Sequence, residues 1–232
     1  MEEITITQEG FNERYISYLY GKVRERFSFL PSSCHYKKEG DCCLVQFQTE
    51  SAYCPYVRKF TEENIADIIA IGYKYAFFEG KLAVPLLSER QKRILLTALV
   101  AADYREDKAY ALKRLRGFEN YSLDGMFHFR LRELQRRWEG IAEYVSPDLG
   151  ESSLDSFLEF LTEDGEGKLF VKDNKVYDEE YRPLSRSRLT GEGDTIEEIL
   201  LGGAERVYCF GNVEEKTAAF LKKYYADKAV FC

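Results

Sequence analysis

Apolar and polar positions alternate in EITIT (residues 3–7), which predicts a short strand with Ile4 and Ile6 on one face. In FNERYISYLYGKVRERFSF (11–29) the period changes to that of a helix, one that Asn12 can cap and that buries Tyr15, Tyr18, Leu19 and Val23. SCHYKKEGDCCLVQFQTE (33–50) returns to alternation and predicts a hairpin turning at Glu39-Gly40-Asp41. Its second arm sets Cys43, Val45 and Phe47 against Leu44, Gln46 and Gln48. A helix is expected from Thr61 to a left-handed stop at Gly80. VPLL links it to SERQKRILLTALVAADYREDKAYALKRLRGF (88–118), which opens on a Ser88/Gln91 capping box and stops at Gly117.

Ser122 or Asp124 then opens a further helix, where Phe127, Leu131, Leu134, Trp138, Ile141 and Val145 recur at alternating steps of four and three. That spacing puts the six on a single buried stripe and turns Phe129, Arg132 and Arg136 to the opposite, solvent-facing side. SPDLGESS (146–153) breaks the helix, and SLDSFLEFLTEDG (153–165) supplies another, short one. KLFVKDNKVYDEEYRPL (168–184) holds two strand-like arms around Asp173-Asn174, SRSRLTGEGD (185–194) is expected to be a polar, mobile loop, and TIEEILLGG (195–203) is a helix capped by Asp194 or Thr195. The closing stretch, 206–232, has a strand–helix–strand pattern, and a helical crossover of that length makes its strands parallel neighbours.

These elements sum to an α+β chain. It has a small N-terminal module of strand, hairpin and helix (1–85), a central helical segment (86–150), and a C-terminal hairpin plus βαβ element forming a small mixed sheet (151–232). The last two segments are expected to share one domain.

Charge narrows the partners. The 232 residues carry a net −7, and residues 148–232 hold nineteen acids against eleven bases, leaving 1–147 near +1. Such an acidic chain repels a nucleic-acid or anionic-membrane surface overall, so any such binding would have to use a local basic cluster. MEEITITQEGF lacks the basic and apolar regions of a signal peptide, and no apolar run approaches the ~20 residues that cross a bilayer. A cytoplasmic location without membrane insertion is therefore expected, with the six cysteines as thiols.

No residue pattern nominates a catalytic group. His128 lies at the border of the apolar stripe, with no sequence neighbour at ligand or relay spacing. Cys34, Cys42, Cys43 and Cys54 include no CxxC. Cys42 and Cys43 point to opposite faces of a strand, so small buried thiols are favoured over a metal site. GxSxG, HExxH and Walker patterns are absent from the sequence. Gly211-Asn212, between a strand and a helix, is a weak anion-binding candidate, for which an ordinary turn is the simpler account. The strongest partner-binding candidates are Phe129, Arg132 and Arg136, since guanidinium groups beside an aromatic suit an acidic protein or a phosphate backbone.

YSLDGMFHFRLRELQRRWEGIAEYV (121–145) resembles the central segment of the YtxC-like sporulation proteins: Phe129-Arg130-Leu131 match its Phe-Arg-Leu core, and Asp124-Gly125 precede it. The helix and hairpin of 156–184 and the βαβ element of 196–232 resemble the family's downstream order, so the likeness spans about 85–232. It departs after Val145, where SPDLGESS interrupts a helical segment that the family continues. The resemblance implies an intracellular sporulation-associated protein of endospore-forming bacteria, a family with no established enzymatic activity and no known cofactor. With the residue reading, it makes a non-enzymatic protein acting through protein contacts the first expectation. The alternatives are nucleic-acid binding through Phe129, Arg132 and Arg136 aided by Lys113, Arg114 and Arg116, and an enzyme for a small anionic substrate at Gly211-Asn212.

Overall fold

The computed structural model describes residues 1–10, 13–118, 120–191 and 193–232. The chain is α+β, and its contacts divide it into two compact units. The first comprises Met1–Tyr73 with Arg105–Glu139, the second Lys74–Tyr104 with Gly140–Cys232. This division differs from boundaries at 85 and 150, because each unit is assembled from two stretches of chain.

The first unit is built on a four-stranded sheet of order β2-β3-β1-β4, from β1 (Glu2–Glu9), β2 (Ser32–Glu39), β3 (Cys42–Thr49) and β4 (Asn120–Ser122). The hairpin pairs Glu39 with Cys42, leaving Gly40-Asp41 as its two-residue turn. Ile4, Ile6, Cys43, Val45 and Phe47 are buried as their alternation predicts. β4 pairs parallel to β1, with Tyr121 beside Ile6, and this pairing brings residues 105–139 back to the N-terminal sheet.

Helix α1 (Arg14–Phe27) buries Tyr15, Ile16, Leu19, Val23 and Phe27, while Tyr18 is half-buried. The expected cap Asn12 lies outside the described residues. The helix expected to begin at Thr61 starts seven residues earlier. Pro55 fits the first turn of α2 (Cys54–Asp67), where its missing N–H costs nothing. A π-helical turn, Ile68–Tyr73, continues α2, and the helix then runs through Gly80 as α3 (Lys74–Lys81) rather than stopping there. Gly72 is required in the π turn: a Cβ there would come within 2.4 Å of the Tyr15 ring.

Ser88 and Gln91 form the capping box of α4 (Glu89–Ala102). The single helix expected over 88–117 breaks at Asp103 (φ −114°) into α4 and α5 (Tyr104–Leu115). The 122–145 helix is likewise two, α6 (Leu123–Arg130) and α7 (Arg132–Tyr144), separated at fully buried Leu131 (φ −111°). The break releases the Phe127 carbonyl, which accepts a bond from the Gln135 side-chain amide. It also changes the helical phase, so α6 buries Leu123 and Met126, and Phe127 is half-buried rather than part of the buried stripe. Leu131, Leu134 and Trp138 are buried as expected. Ser122 caps α6 through the Gly125 amide, while Asp124 accepts from the Glu9 amide (2.7 Å) and the Tyr73 hydroxyl (2.7 Å).

The second unit contains α3, α4 and a mixed sheet of order β6-β5-β7-β8, from β5 (Lys168–Lys172), β6 (Lys175–Tyr177), β7 (Arg206–Phe210) and β8 (Ala229–Phe231). Helices α8 (Glu151–Glu163), α9 (Thr195–Gly202) and α10 (Glu215–Tyr224) complete it. Asp173 (φ +49°) and Asn174 (φ +60°) are both left-handed, the geometry a tight hairpin demands. β7 and β8 are parallel across the α10 crossover, as expected. Asp194 caps α9, accepting from the amides of Ile196 (2.8 Å) and Glu197 (3.4 Å).

Residues 185–191, expected as part of a mobile polar loop, are folded. Arg186–Leu189 form a 3-10 turn whose Ser187 and Leu189 are buried. Glu198 holds that turn by accepting from the Arg186 amide (2.9 Å), the Ser187 amide (2.8 Å) and the Ser187 hydroxyl (2.6 Å). The partner that orders the stretch is a buried carboxylate supplied by the next helix, and polarity along the chain carries no signal of it.

Candidate functional site

Helices α5 and α7 of the first unit meet along a surface rich in arginine. Tyr110 on α5 donates its hydroxyl to Glu133 Oε2 on α7 (2.7 Å), and Arg114 reaches both, at 3.2 Å to the tyrosine oxygen and 3.4 Å to the carboxylate. The guanidinium groups of Arg114 and Arg137 each sit 5.3 Å from the centre of the Tyr110 ring. The Tyr110 hydroxyl and Arg114 hold the Glu133 carboxyl below its usual range, with Arg136 and Arg137 adding to the field. One exposed carboxylate therefore lies among three guanidinium groups.

Beneath this surface Arg137 Nη2 stands 3.3 Å from Asp107 Oδ1, and the indole N–H of Trp138 donates to Asp107 Oδ2 (2.8 Å). Asp107 and Trp138 are both buried, so the pair anchors α7 to α5 from within.

Of the partner-binding candidates, Phe129 is 74% exposed, and Arg132 and Arg136 are exposed. Among the described residues, neither arginine makes a hydrogen bond or ion pair and Phe129 touches no other ring. Arg136 belongs to the group around Glu133; Phe129 and Arg132 lie near the junction of α6 and α7, outside it. Lys113, Arg114 and Arg116 are exposed on or just beyond α5. Reading the sequence one helix at a time missed Tyr110 and Arg137. Their only signal is the pairing of aromatic and basic residues on two consecutive helices, which becomes visible once the helices are known to be neighbours.

Gly211-Asn212 is exposed, but α10 starts only at Glu215, with Glu214 as its cap residue. The Glu214 amide already donates to Asn174 Oδ1 (2.9 Å), and Asp173 Oδ1 lies 3.1 Å from where a Cβ on Gly211 would be. Carboxylates crowd this turn and an amide that would greet an anion is taken, so the geometry opposes an anion there.

The cysteines are free thiols, with Cys43, Cys54 and Cys209 buried, Cys34 and Cys42 half-buried and Cys232 exposed. Burial pushes the Cys34 thiol up to about 11. Among the described residues no group of three or more His, Cys, Asp or Glu side chains is arranged to hold a metal ion. Among the described residues no helix is long and apolar enough to cross a membrane.

The second unit contains a cleft of about 330 Å³ between α4, the start of α9 and Lys216. Two ion pairs line it, Arg93–Glu197 (2.7 Å) and Lys216–Asp194 (3.2 Å). Burial raises the Glu197 carboxyl, partly offset by the hydroxyl of Thr190 and by Arg93. Exposed Glu89 and Arg90 complete the charged lining.

Comparison with family models, with curated proteins and with solved structures found no match to this chain.

Proposed function

We propose that the chain is a non-catalytic binding protein that docks an acidic protein partner on the α5–α7 surface, in the cytoplasmic, sporulation-associated setting implied by the resemblance of its central segment. The observation that carries the reading is the excess of guanidinium over carboxylate there. Arg114 pairs with Glu133 and Arg137 with buried Asp107, while Arg132 and Arg136 on the same helix as Arg137 make no ion pair among the described residues. Such groups bind carboxylates in bidentate fashion, and the Tyr110 ring stiffens two of them. A rigid donor array loses less side-chain entropy on binding than free arginines do.

The test is titration of a fluorescent acidic peptide against wild type and an Arg132→Glu/Arg136→Glu variant. The expected result is binding that the variant loses by at least about tenfold, with unfolding free energy changed by no more than about 1 kcal/mol, since both side chains are exposed. Equal binding by the variant refutes the surface. Duplex DNA that binds at ~50 mM salt and competes with the peptide replaces the acidic partner by a phosphate backbone. An unchanged spore yield in a strain lacking the protein removes the sporulation setting.

A further inference from the structure

The open face of the second unit's sheet presents a different chemistry. The pleat sends Leu169, Val171, Val176, Val207 and Cys209 inward, where all are buried. The alternate residues form the other face, and at its centre they are aromatic. Phe170 on β5 pairs with Tyr177 on β6 to one side and Tyr208 on β7 to the other, and Tyr208 pairs with Val230 on β8. This makes a row across all four strands.

Ring centres are 5.7 Å apart for Phe170 and Tyr208, and 6.2 Å for Phe170 and Phe210, with the planes within about 30° of parallel. Tyr181, from the segment after β6, stacks on Phe170 at 4.4 Å and 18°, yet is itself 64% exposed. Phe170, Tyr208 and Phe210 are only half-buried.

The cross-strand rows on either side of the aromatic row are basic. Lys168 pairs across the sheet with Arg206, and Lys172 with Lys175. Like charges opposite one another on neighbouring strands weaken a sheet. Here two such pairs occur on one face, and all four residues are exposed. None of the three lysines has an ion pair among the described residues, and Arg206 has only a 3.8 Å contact with its neighbour Glu205. Of the acids close by, Asp178 and Glu180 pair with Arg182 and Glu179 accepts from the Lys168 amide, while Asp173, in the turn between Lys172 and Lys175, makes no ion pair among the described residues. The net −8 of this part of the chain thus coexists with four exposed bases on one face of the sheet, with Asp173 and Glu205 as their chain neighbours.

We propose that this face is a stacking platform for single-stranded nucleic acid. Tyr181, which stacks on Phe170, and Tyr208 and Phe210 beside it offer rings to unpaired bases, and the basic residues on either side of the row meet the phosphates that flank them. A row of this width takes two or three bases. A duplex, whose bases are already stacked on each other, has nothing to place on the rings. The like-charge pairs, a cost to the sheet alone, become favourable contacts when a polyanion lies across them. The platform is formed within the second unit, and the proposal does not depend on the α5–α7 reading.

The experiment is fluorescence anisotropy with labelled twelve-nucleotide oligothymidine and oligouridine, with a DNA duplex and heparin as controls, at ~50 mM salt. Single strands are expected to bind the full chain in preference to the duplex and heparin, more weakly as salt rises; the stronger of the two oligonucleotides identifies DNA or RNA as the source. Tyr208→Ala is expected to weaken binding about tenfold, matching the loss of one base stack, and Tyr208→Phe to retain it.

Lys172→Glu is expected to weaken binding as well while leaving the denaturation midpoint equal or higher, because it converts a repulsive pair with Lys175 into an attractive one. A residue with a purely structural role does not give that combination. If Tyr208→Ala loses its circular-dichroism spectrum, Lys172→Glu alone decides. The proposal is overturned by absence of binding at ~50 mM salt, by duplex or heparin binding as tightly as single strands, or by binding that falls with Arg132→Glu/Arg136→Glu and not with the sheet variants.

Discussion

Replacing Trp138 separates two contributions that the structure joins in one side chain. The indole is fully buried, stacks on Phe127 with ring centres 5.8 Å apart, and donates to Asp107 Oδ2 at 2.8 Å. A buried tryptophan removes roughly 200 Å² from water, worth about 5 kcal/mol at ~25 cal/mol per Å². Trp→Ala changes in cores cost about 3–5 kcal/mol. Trp138→Ala also takes a donor from a carboxylate that is 2% exposed, leaving Arg137 at 3.3 Å as an ion-pair partner, which adds about 1–2 kcal/mol. The expected total is about 4–7 kcal/mol.

Trp138→Phe keeps an aromatic ring and loses the N–H, so its expected cost is about 1.5–3 kcal/mol. Asp107→Asn in the Trp138→Phe background should then cost less than in wild type, because the bond it would weaken is already gone. Urea denaturation followed by far-UV circular dichroism is the assay, since Trp138 is the only tryptophan and its replacement removes the fluorescent probe. A Trp138→Phe cost below about 0.5 kcal/mol would show that Asp107 does not need the indole. A Trp138→Ala cost below about 2 kcal/mol would refute the placement of Trp138 at the centre of the first unit.

Two further predictions concern the second unit. Burial raises the Asp194 carboxyl, but the Ile196 amide and Lys216 outweigh it and hold the group below its ordinary value. Its contribution is therefore present above the unfolded-state value near 3.8 and lost as pH falls through the lower folded value; urea titrations from pH 5 to 2 should show a stability decline that is shallower in Asp194→Asn, and parallel curves would contradict the cap. Glu198→Ala removes the acceptor for two backbone amides and the Ser187 hydroxyl, so trypsin should cut after Arg186 or Arg188 at least about tenfold faster than in wild type, and unchanged cleavage would mean that the turn is held by other contacts.

Local rules sufficed where the deciding interactions lie within a few residues. The Ser88/Gln91 capping box, the hairpins at Gly40-Asp41 and Asp173-Asn174, the Asp194 cap and the parallel strands joined by α10 were all legible, because each is closed by neighbours in the chain or by a crossover of familiar length. The exposure of Arg132 and Arg136 was legible too, since helical spacing separates them from Leu134 and Trp138 on α7, and Phe129 on α6 is exposed as expected although the break at Leu131 changes the phase. What needed the tertiary structure rests on contacts between distant segments. The Gly72 backbone lies against the Tyr15 ring, Glu198 orders a polar stretch that composition marks as loop, and Arg137 and Tyr110 meet only because α5 packs beside α7. The aromatic row with its basic flanks was hidden for the same reason. Alternation along β5 and β7 marks one buried and one open face for each strand, but which side chains become neighbours across the sheet depends on register, and register is decided by how the strands pair.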